Sequence, residues 1–163
     1  LLSGLAEGQL DMAVLSGFGV ELGKGLDSRV TLSDPCMVMI SASHPLAAKK
    51  EIHPRELKGM PIVLNRAQDS QPSAGLIAGM YANMGLRENK RMYADDFYSI
   101  ALIINTGIAF SIMPASVACW GIDGVVFRPV QGFKAKARTL LVYPRGSQDT
   151  GIQSFVSLIR PKR

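Results

Sequence analysis

DDFYSIALIINTGIAFSIMP, residues 95–114, is the stretch that decides the fold of this chain. In its first half, apolar side chains recur at the i, i+3, i+4, i+7 spacing of one helical face, at Phe97, Ile100, Ala101 and Ile104. Asp96 precedes them as a candidate N-cap, and Gly107 offers the left-handed residue that ends many helices. Residues 108–113 are almost free of polar side chains, as expected of a strand covered on both faces, and Pro114 ends that strand. The stretch therefore predicts a helix, a glycine turn and a buried strand, which together make half of an α/β unit.

The rest of the chain predicts more strands and helices in alternation. Short apolar runs predict strands at residues 10–15, 36–40, 62–64, 91–94, 125–128 and 138–143. Helical spacing predicts helices at residues 1–5, 72–84 and 150–159, and a helical turn at 115–120. The second helix is expected to begin at Pro72 and to bury Leu76, Ile77, Met80, Tyr81 and Met84. The dipeptide Asp34-Pro35 is expected to turn the chain.

Two connectors divide these elements into two groups. The outgoing connector, residues 43–57, lies in a segment rich in Pro and Lys whose apolar anchors are Ile52 and Leu57. The returning connector comprises residues 130–136. A chain with this order of elements predicts two small α/β lobes with a cleft between them.

Composition places the chain among folded globular proteins, since 47% of its 163 residues are hydrophobic and 19% are charged. Its net charge of +5 is scattered and does not form a basic stripe interleaved with aromatic residues, so we expect a solvated surface and no nucleic-acid site in these residues. The apolar runs are too short to cross a bilayer, and the chain does not begin with a secretory signal, so no membrane partner is expected.

The sequence predicts no metal, no cofactor and no phosphate loop. Cys36 and Cys119 stand far apart among apolar neighbours, which predicts buried free thiols in a reducing, cytoplasmic compartment. His44 and His53 have no cysteine near them at the spacing of a zinc site, and His44 is expected to cap a turn. The glycine-rich segment 17–25 has GxGxxxG spacing and cannot start the helix that receives a pyrophosphate, so it is interpreted as a flexible loop.

Several short motifs resemble, in order and spacing, the effector-binding domain of LysR-type transcriptional regulators. The matching segments are LDMAVLSG (10–17), SDPCMVMISASHPLAAKKEIHPRELKGMPIVL (33–64), IALIINTGIAFSIMP (100–114) and VVFRPVQG (125–132). The resemblance spans nearly the whole chain. The chain departs from the family pattern at Asn105, where a second glycine is usual, and Asn also tolerates a left-handed turn.

The resemblance implies an α/β fold of two Rossmann-like subdomains of the periplasmic-binding-protein type II, joined by two crossover segments. Residues 1–56 with 132–163 are expected to form subdomain I, incomplete at its N-terminus, and residues 57–131 subdomain II. A small-molecule effector would bind in the cleft, and the domain would act within a homodimer or homotetramer. DNA would be contacted only through a winged helix-turn-helix that family members carry upstream and that is expected to be missing before Leu1.

The same resemblance implies that effectors bind at strand ends. The candidate ligand-binding residues are Ser16, Gly17, Ser41, Ser43, Asn65, Arg66, Gln68, Ser70, Asn105 and Gly107. Arg66 is the foremost candidate, because a guanidinium just before a helix N-terminus suits a carboxylate. The alternative is that Arg66 points to solvent or pairs with Asp69. Ser16, Ser41 and Gln68 also have an alternative explanation, as ordinary polar loop residues that cap or turn the chain. The turn at residues 105–107 is expected to face the same cleft as Arg66.

The sequence leaves three function classes to compare. A ligand-sensing regulatory domain that binds a small organic acid is favoured, and a periplasmic-type receptor for solute transport shares its two-lobe architecture. An enzyme on the same scaffold is disfavoured, since no paired carboxylates, nucleophile elbow or metal cluster is found and Asp95-Asp96 is better explained as a helix start.

Overall fold

The computed structural model describes residues 1–17, 19–69 and 73–159. The helices in these ranges are α1 Leu2–Ala6, α2 Arg66–Asp69, α3 Ala74–Asn83, α4 Phe97–Asn105 and α5 Thr150–Leu158. The strands are β1 Ala13–Ser16, β2 Leu26–Ser41, β3 Ile62–Asn65, β4 Arg91–Ala94, β5 Ser111–Pro114, β6 Val125–Arg128 and β7 Lys136–Pro144. Short 3₁₀ helices lie at Pro45–Ala48, Pro54–Leu57 and Ala115–Trp120. The alternation of strands and helices agrees with the predicted α/β class.

The chain forms two compact units. Unit 1 comprises Leu1–Asp34 with Ala137–Arg163, and unit 2 comprises Pro35–Lys136. These bounds differ from those predicted for subdomain I, residues 1–56 with 132–163, and subdomain II, residues 57–131. The subdomain bounds stay a prediction.

The expected turn at Asp34-Pro35 is wrong, because β2 runs through it without a break. Thr31 lies in the part of β2 beside β7, where its hydroxyl donates to the Thr139 carbonyl over 3.1 Å. Pairing with β5 begins only at Cys36. Proline suits an extended backbone, and its missing N–H loses no ladder bond at the point where the strand changes partners.

Unit 2 contains two groups of paired strands, β4-β3 and β5-β2-β6, which an isolated parallel bridge places side by side in the order β4-β3-β5-β2-β6. Strands β3 and β4 pair in parallel, and a parallel bridge joins Ile62 to Phe110 just before β5. Strand β2 pairs antiparallel with β5 on one side and with β6 on the other. Asn65, Ala94 and Pro114 therefore end their strands at one edge, here called the carboxyl edge, and Ser41 ends β2 at the opposite, amino edge.

The predicted helix of the opening stretch is confirmed by α4. Asp96 caps it by accepting the Ser99 N–H over 2.9 Å, and Gly107 follows with φ +82°. Ile100, Ala101 and Ile104 pack with Met39 and Val63 of the sheet in one buried cluster, here called the α4 core. The apolar face thus fastens the helix to the sheet.

Three predicted burials are wrong. Ile108 is 58% exposed because it precedes the first residue paired in the sheet. Leu76 is 53% exposed because α3 turns Ile77 and Tyr81 inward, four positions apart, which leaves Leu76 off that face. Cys119 is exposed, while Cys36 is buried as expected.

Unit 1 places β7 next to β1 and to the first part of β2. Ala13 to Ser16 of β1 pair antiparallel with Val142 to Thr139 of β7. Its core contains Leu5, Ala13, Leu26 and Val142. Asp149 caps the N-terminus of helix α5, because its carboxylate accepts hydrogen bonds from the N–H groups of Gly151 and Ile152.

The outgoing connector is anchored as predicted. Ile52 and Leu57 are completely buried, and His44 and His53 are the N-cap residues of the two 3₁₀ helices in this connector. His44 Nδ1 accepts the Leu46 N–H over 3.2 Å, which confirms its expected capping role. Within the described residues, no helix is long and apolar enough to cross a membrane.

Replacing Ile104 with Ala will lower the free energy of unfolding by about 2–5 kcal/mol, because it empties a fully buried position in the α4 core. Leu102→Ala on the same helix is the matched control, since Leu102 is 70% exposed. Urea denaturation measures both. Equal losses in the two variants would contradict the assigned helix face.

Candidate functional site

The parallel register of β3 and β4 builds the candidate site at the carboxyl edge of unit 2. Asn65 is paired with Ala94, and each is the last residue of its strand. The residues that follow, Arg66 and Asp95, therefore leave the sheet side by side. Both also stand where a helix is about to start, because α2 begins at Arg66 and α4 begins at Phe97.

Arg66 has two neighbours, one from β4 and one from the residue that follows this strand. Its Nε donates to Oδ1 of Asp95 over 2.8 Å, and its guanidinium carbon lies 5.8 Å from the centre of the Tyr93 ring. The side chains of Arg66 and Asp95 are 63% and 78% exposed, so water screens their attraction and the pair adds little to stability. The guanidinium is therefore both oriented and accessible to a dissolved anion.

The two helix starts beside Arg66 are capped by their own side chains. Asn65 Oδ1 accepts the Ala67 N–H over 2.8 Å at the start of α2. Asp96 accepts from the Ser99 N–H and, over 2.8 Å, from the Ser99 hydroxyl at the start of α4. The backbone N–H bond of Ser99, followed by its hydroxyl, lowers the pKa of Asp96, so this carboxylate stays charged as a cap. These caps fix the backbone on both sides of Arg66.

Four other predicted residues lie at the amino edge. The Ser41 hydroxyl is 2.9 Å from that of Ser43 and donates to the Asn105 carbonyl over 3.2 Å, and Gly107 follows two residues later. Ser41 is almost completely buried in this network. Within unit 2, the turn at 105–107 lies at the opposite end of the sheet from Arg66, because α4 carries the chain from one edge of the sheet back to the other. That the turn and Arg66 face one cleft stays a prediction.

Ser16 and Gly17 lie in unit 1, at the carboxyl end of β1. Ser16 is paired with Thr139, and the Gly17 N–H donates to the Arg138 carbonyl over 2.7 Å. A Cβ atom at position 17 would lie only 3.0 Å from the Leu140 side chain, so glycine permits this close approach. The main chain of Gln68 belongs to α2, whereas its side chain and the whole of Ser70, like the expected helix start at Pro72, fall outside the described part of the structure.

Tyr93 and Asp95 were missed as neighbours of Arg66. Part of the signal was present in the sequence, because strands were predicted at 62–64 and 91–94 and parallel neighbours bring together the residues that follow them. The exact pairing depends on β3 ending at Asn65, one residue later than predicted. In the sequence, the pair Asp95-Asp96 indicates only a helix start, and the acidic partner predicted for Arg66 is Asp69.

One cavity that Asn65 helps to line is too small for an organic effector. It encloses about 20 Å³ beneath α3, with Asn65, Ala74, Tyr81 and Arg91 in its wall, which is room for one water molecule. Burial raises the pKa of Tyr81 to about 12, and its oxygen accepts the Ile112 N–H over 3.1 Å. Tyr81 is thus a neutral structural residue. No cluster of three or more metal-binding side chains is found in the part of the chain that the structure describes.

The family described as LysR substrate binding domain matches residues 1–163 of this chain. The transcriptional activator HcaR of the hca operon of Escherichia coli K12 is 21% identical over 137 residues, which is 84% of this chain and 46% of HcaR. The chain thus spans about half the length of this curated relative.

Two solved effector-binding domains share the fold. That of BenM with its effector benzoate has a TM-score of 0.80 at 18% identity, covering 97% of this chain and 71% of the other. That of QuiR in complex with shikimate has a TM-score of 0.73 at 18% identity, covering 96% of this chain and 73% of the other.

Replacing Arg66 with Ala will change the free energy of unfolding by less than about 1 kcal/mol, because its ion pair is exposed. Asp95→Asn should have a similarly small effect, and the double variant should show little coupling in urea denaturation. A loss of several kcal/mol in the Arg66 variant would mean that Arg66 is a structural residue.

Acid will remove part of the stability supplied by Asp96. Because its pKa is lowered in the folded state, its contribution is present above the unfolded-state pKa of about 3.9 and is lost as the pH falls through the folded-state value. Asp96→Asn keeps a capping oxygen but does not titrate. The difference in urea midpoint between wild type and this variant should therefore shift between pH 7 and pH 3 in favour of the variant, and a constant difference would contradict the linkage.

Proposed function

The chain belongs to the family of LysR substrate-binding domains, and from this premise we propose that it senses a small anionic organic effector for a bacterial transcription regulator. The observation that carries the proposal is Arg66, an accessible guanidinium oriented by Asp95 and Tyr93 at the carboxyl edge of a parallel sheet. Ligands of open α/β sheets bind at this edge.

The charge of the effector follows from the chemistry of Arg66. A guanidinium offers two N–H groups in one plane to the two oxygens of a carboxylate. Benzoate and shikimate, which bind BenM and QuiR, both carry a carboxylate. Because Nε of Arg66 donates to Asp95, we propose that the two terminal nitrogens of the guanidinium donate to the carboxylate of the effector.

The other binding residues are proposed according to their position. Asn65, Gln68 and Ser70 belong to the chain segment that contains Arg66. Ser16 is the last residue of β1 in unit 1, and Gly17 follows it. We give less weight to Ser41, Ser43, Asn105 and Gly107, because they lie at the amino edge and Ser41 is engaged in a buried network.

The effector would act by stabilising one conformation of the domain over another. A ligand shifts such an equilibrium only by its difference in affinity for the two states. In the whole regulator, acting in the cytoplasm, this shift would change the geometry of a homodimer or homotetramer and so reposition helix-turn-helix modules on DNA. HcaR is a transcriptional activator by name, which supports a regulatory role over transport or catalysis.

Carboxylates will raise the melting temperature of the wild-type domain, and Arg66→Ala will abolish that rise. Thermal unfolding is followed with benzoate, shikimate and other small carboxylates, since a ligand that binds only the folded state stabilises it by mass action. Arg87→Ala, which removes an exposed cation elsewhere in unit 2, is the matched control.

Three outcomes would contradict this proposal. Equal stabilisation of wild type and Arg66→Ala would remove Arg66 from the site. Stabilisation by benzamide as strong as that by benzoate, or no stabilisation by any carboxylate, would exclude an anionic effector.

A further inference from the structure

A groove of about 380 Å³ lies in unit 2 away from the carboxyl edge. It is bounded by the second half of α3, the 3₁₀ helix Pro54–Leu57 and residues 131–135 of the returning connector. Its apolar floor consists of Pro54, Met80, Met84 and Phe133. Ligand pockets of small molecules usually enclose about 300–1,000 Å³, so the groove is large enough for a small ligand.

The apolar floor is firmly built. Met84 is only 9% exposed and belongs to the main core cluster of unit 2, against which Phe133 packs. The wall opposite α3 is tied down by its backbone, because the Gln131 N–H donates to the Ile52 carbonyl over 2.9 Å and the Ala135 carbonyl accepts the Cys36 N–H over 2.9 Å. The groove is therefore preformed.

Polar side chains stand at the rim of this floor. Asn83, Gln131 and Lys134 line the groove, and their side chains have no hydrogen-bond or ion-pair partner among the residues that the structure describes. The nearby carboxylate of Glu56 is bound to Lys49 and to the His53 N–H, and these bonds lower its pKa. The ammonium group of Lys134 can therefore bind the anionic group of a ligand in the groove.

We propose that this groove is a second ligand site, for a small amphipathic carboxylate. Its hydrocarbon chain would lie on Met80, Met84 and Phe133, and its carboxylate would bind Lys134, with amide donors from Asn83 and Gln131. This groove is separate from the proposed effector site. The first residue of α3, Ala74, lines a cavity together with Asn65, whereas the groove is lined by the C-terminal half of the helix. A ligand here would contact residues 131–135, which lead directly into β7.

Sodium hexanoate is the probe, titrated into ¹⁵N-labelled protein in an Arg66→Ala background so that the carboxyl-edge site does not contribute. Amide signals of residues 80–84 and 131–135 should shift. Lys134→Gln should weaken hexanoate binding about tenfold, since a charge-assisted hydrogen bond is lost, and should leave the binding of 1-hexanol unchanged. Met80→Gln should weaken both probes, and Lys90→Gln should weaken neither.

Lys134, Met80 and Lys90 are not fully buried, so unchanged urea midpoints will verify that these variants fold. Three outcomes would overturn the second site: no shifts with hexanoate, shifts confined to other residues, or equal affinity in the Lys134→Gln variant.

Discussion

Both units depend on the continuous pairing of strand β2. Its last part is buried and has neighbours on both sides, so its backbone N–H and C=O groups must be satisfied by other strands. β5 and β6 supply those bonds in unit 2, and β7 lies beside its first part in unit 1. Because β2 is antiparallel to β5, it also determines which strand ends share an edge of the sheet.

This pairing separates two groups of polar residues that look equivalent along the chain. Arg66 follows a parallel strand and reaches the carboxyl edge, where Asp95 and Tyr93 hold it. Ser41 is the last residue of the antiparallel strand β2 and lies at the amino edge, where its hydroxyl donates to the carbonyl of Asn105 at the end of α4. One group is accessible and charged, as a binding site for an anion requires, and the other stabilises the sheet.

Local patterns predicted most elements because each depends on neighbouring residues. The cap at Asp96, the glycine turn at Gly107 and the strand at 91–94 need only side-chain spacing and backbone preference. The exposure of Ile108 and Cys119 was not predictable in this way, since an apolar residue is buried only where another element covers it. The turn predicted at Asp34-Pro35 was wrong for the same reason, because an extended strand with suitable partners accommodates a proline.

The sequence by itself determined the α/β class, the helix and strand of residues 95–114, and the choice of Arg66 as the cation of the candidate site. The tertiary structure alone decided that Asp95, 29 residues further on, is its partner, and that Asn105 lies at the other edge. Helix and strand formation follow local periodicity, whereas strand direction and register are set by long-range hydrogen bonds. The hydrogen bonds between strands therefore determine which residues that are distant in the sequence come into contact.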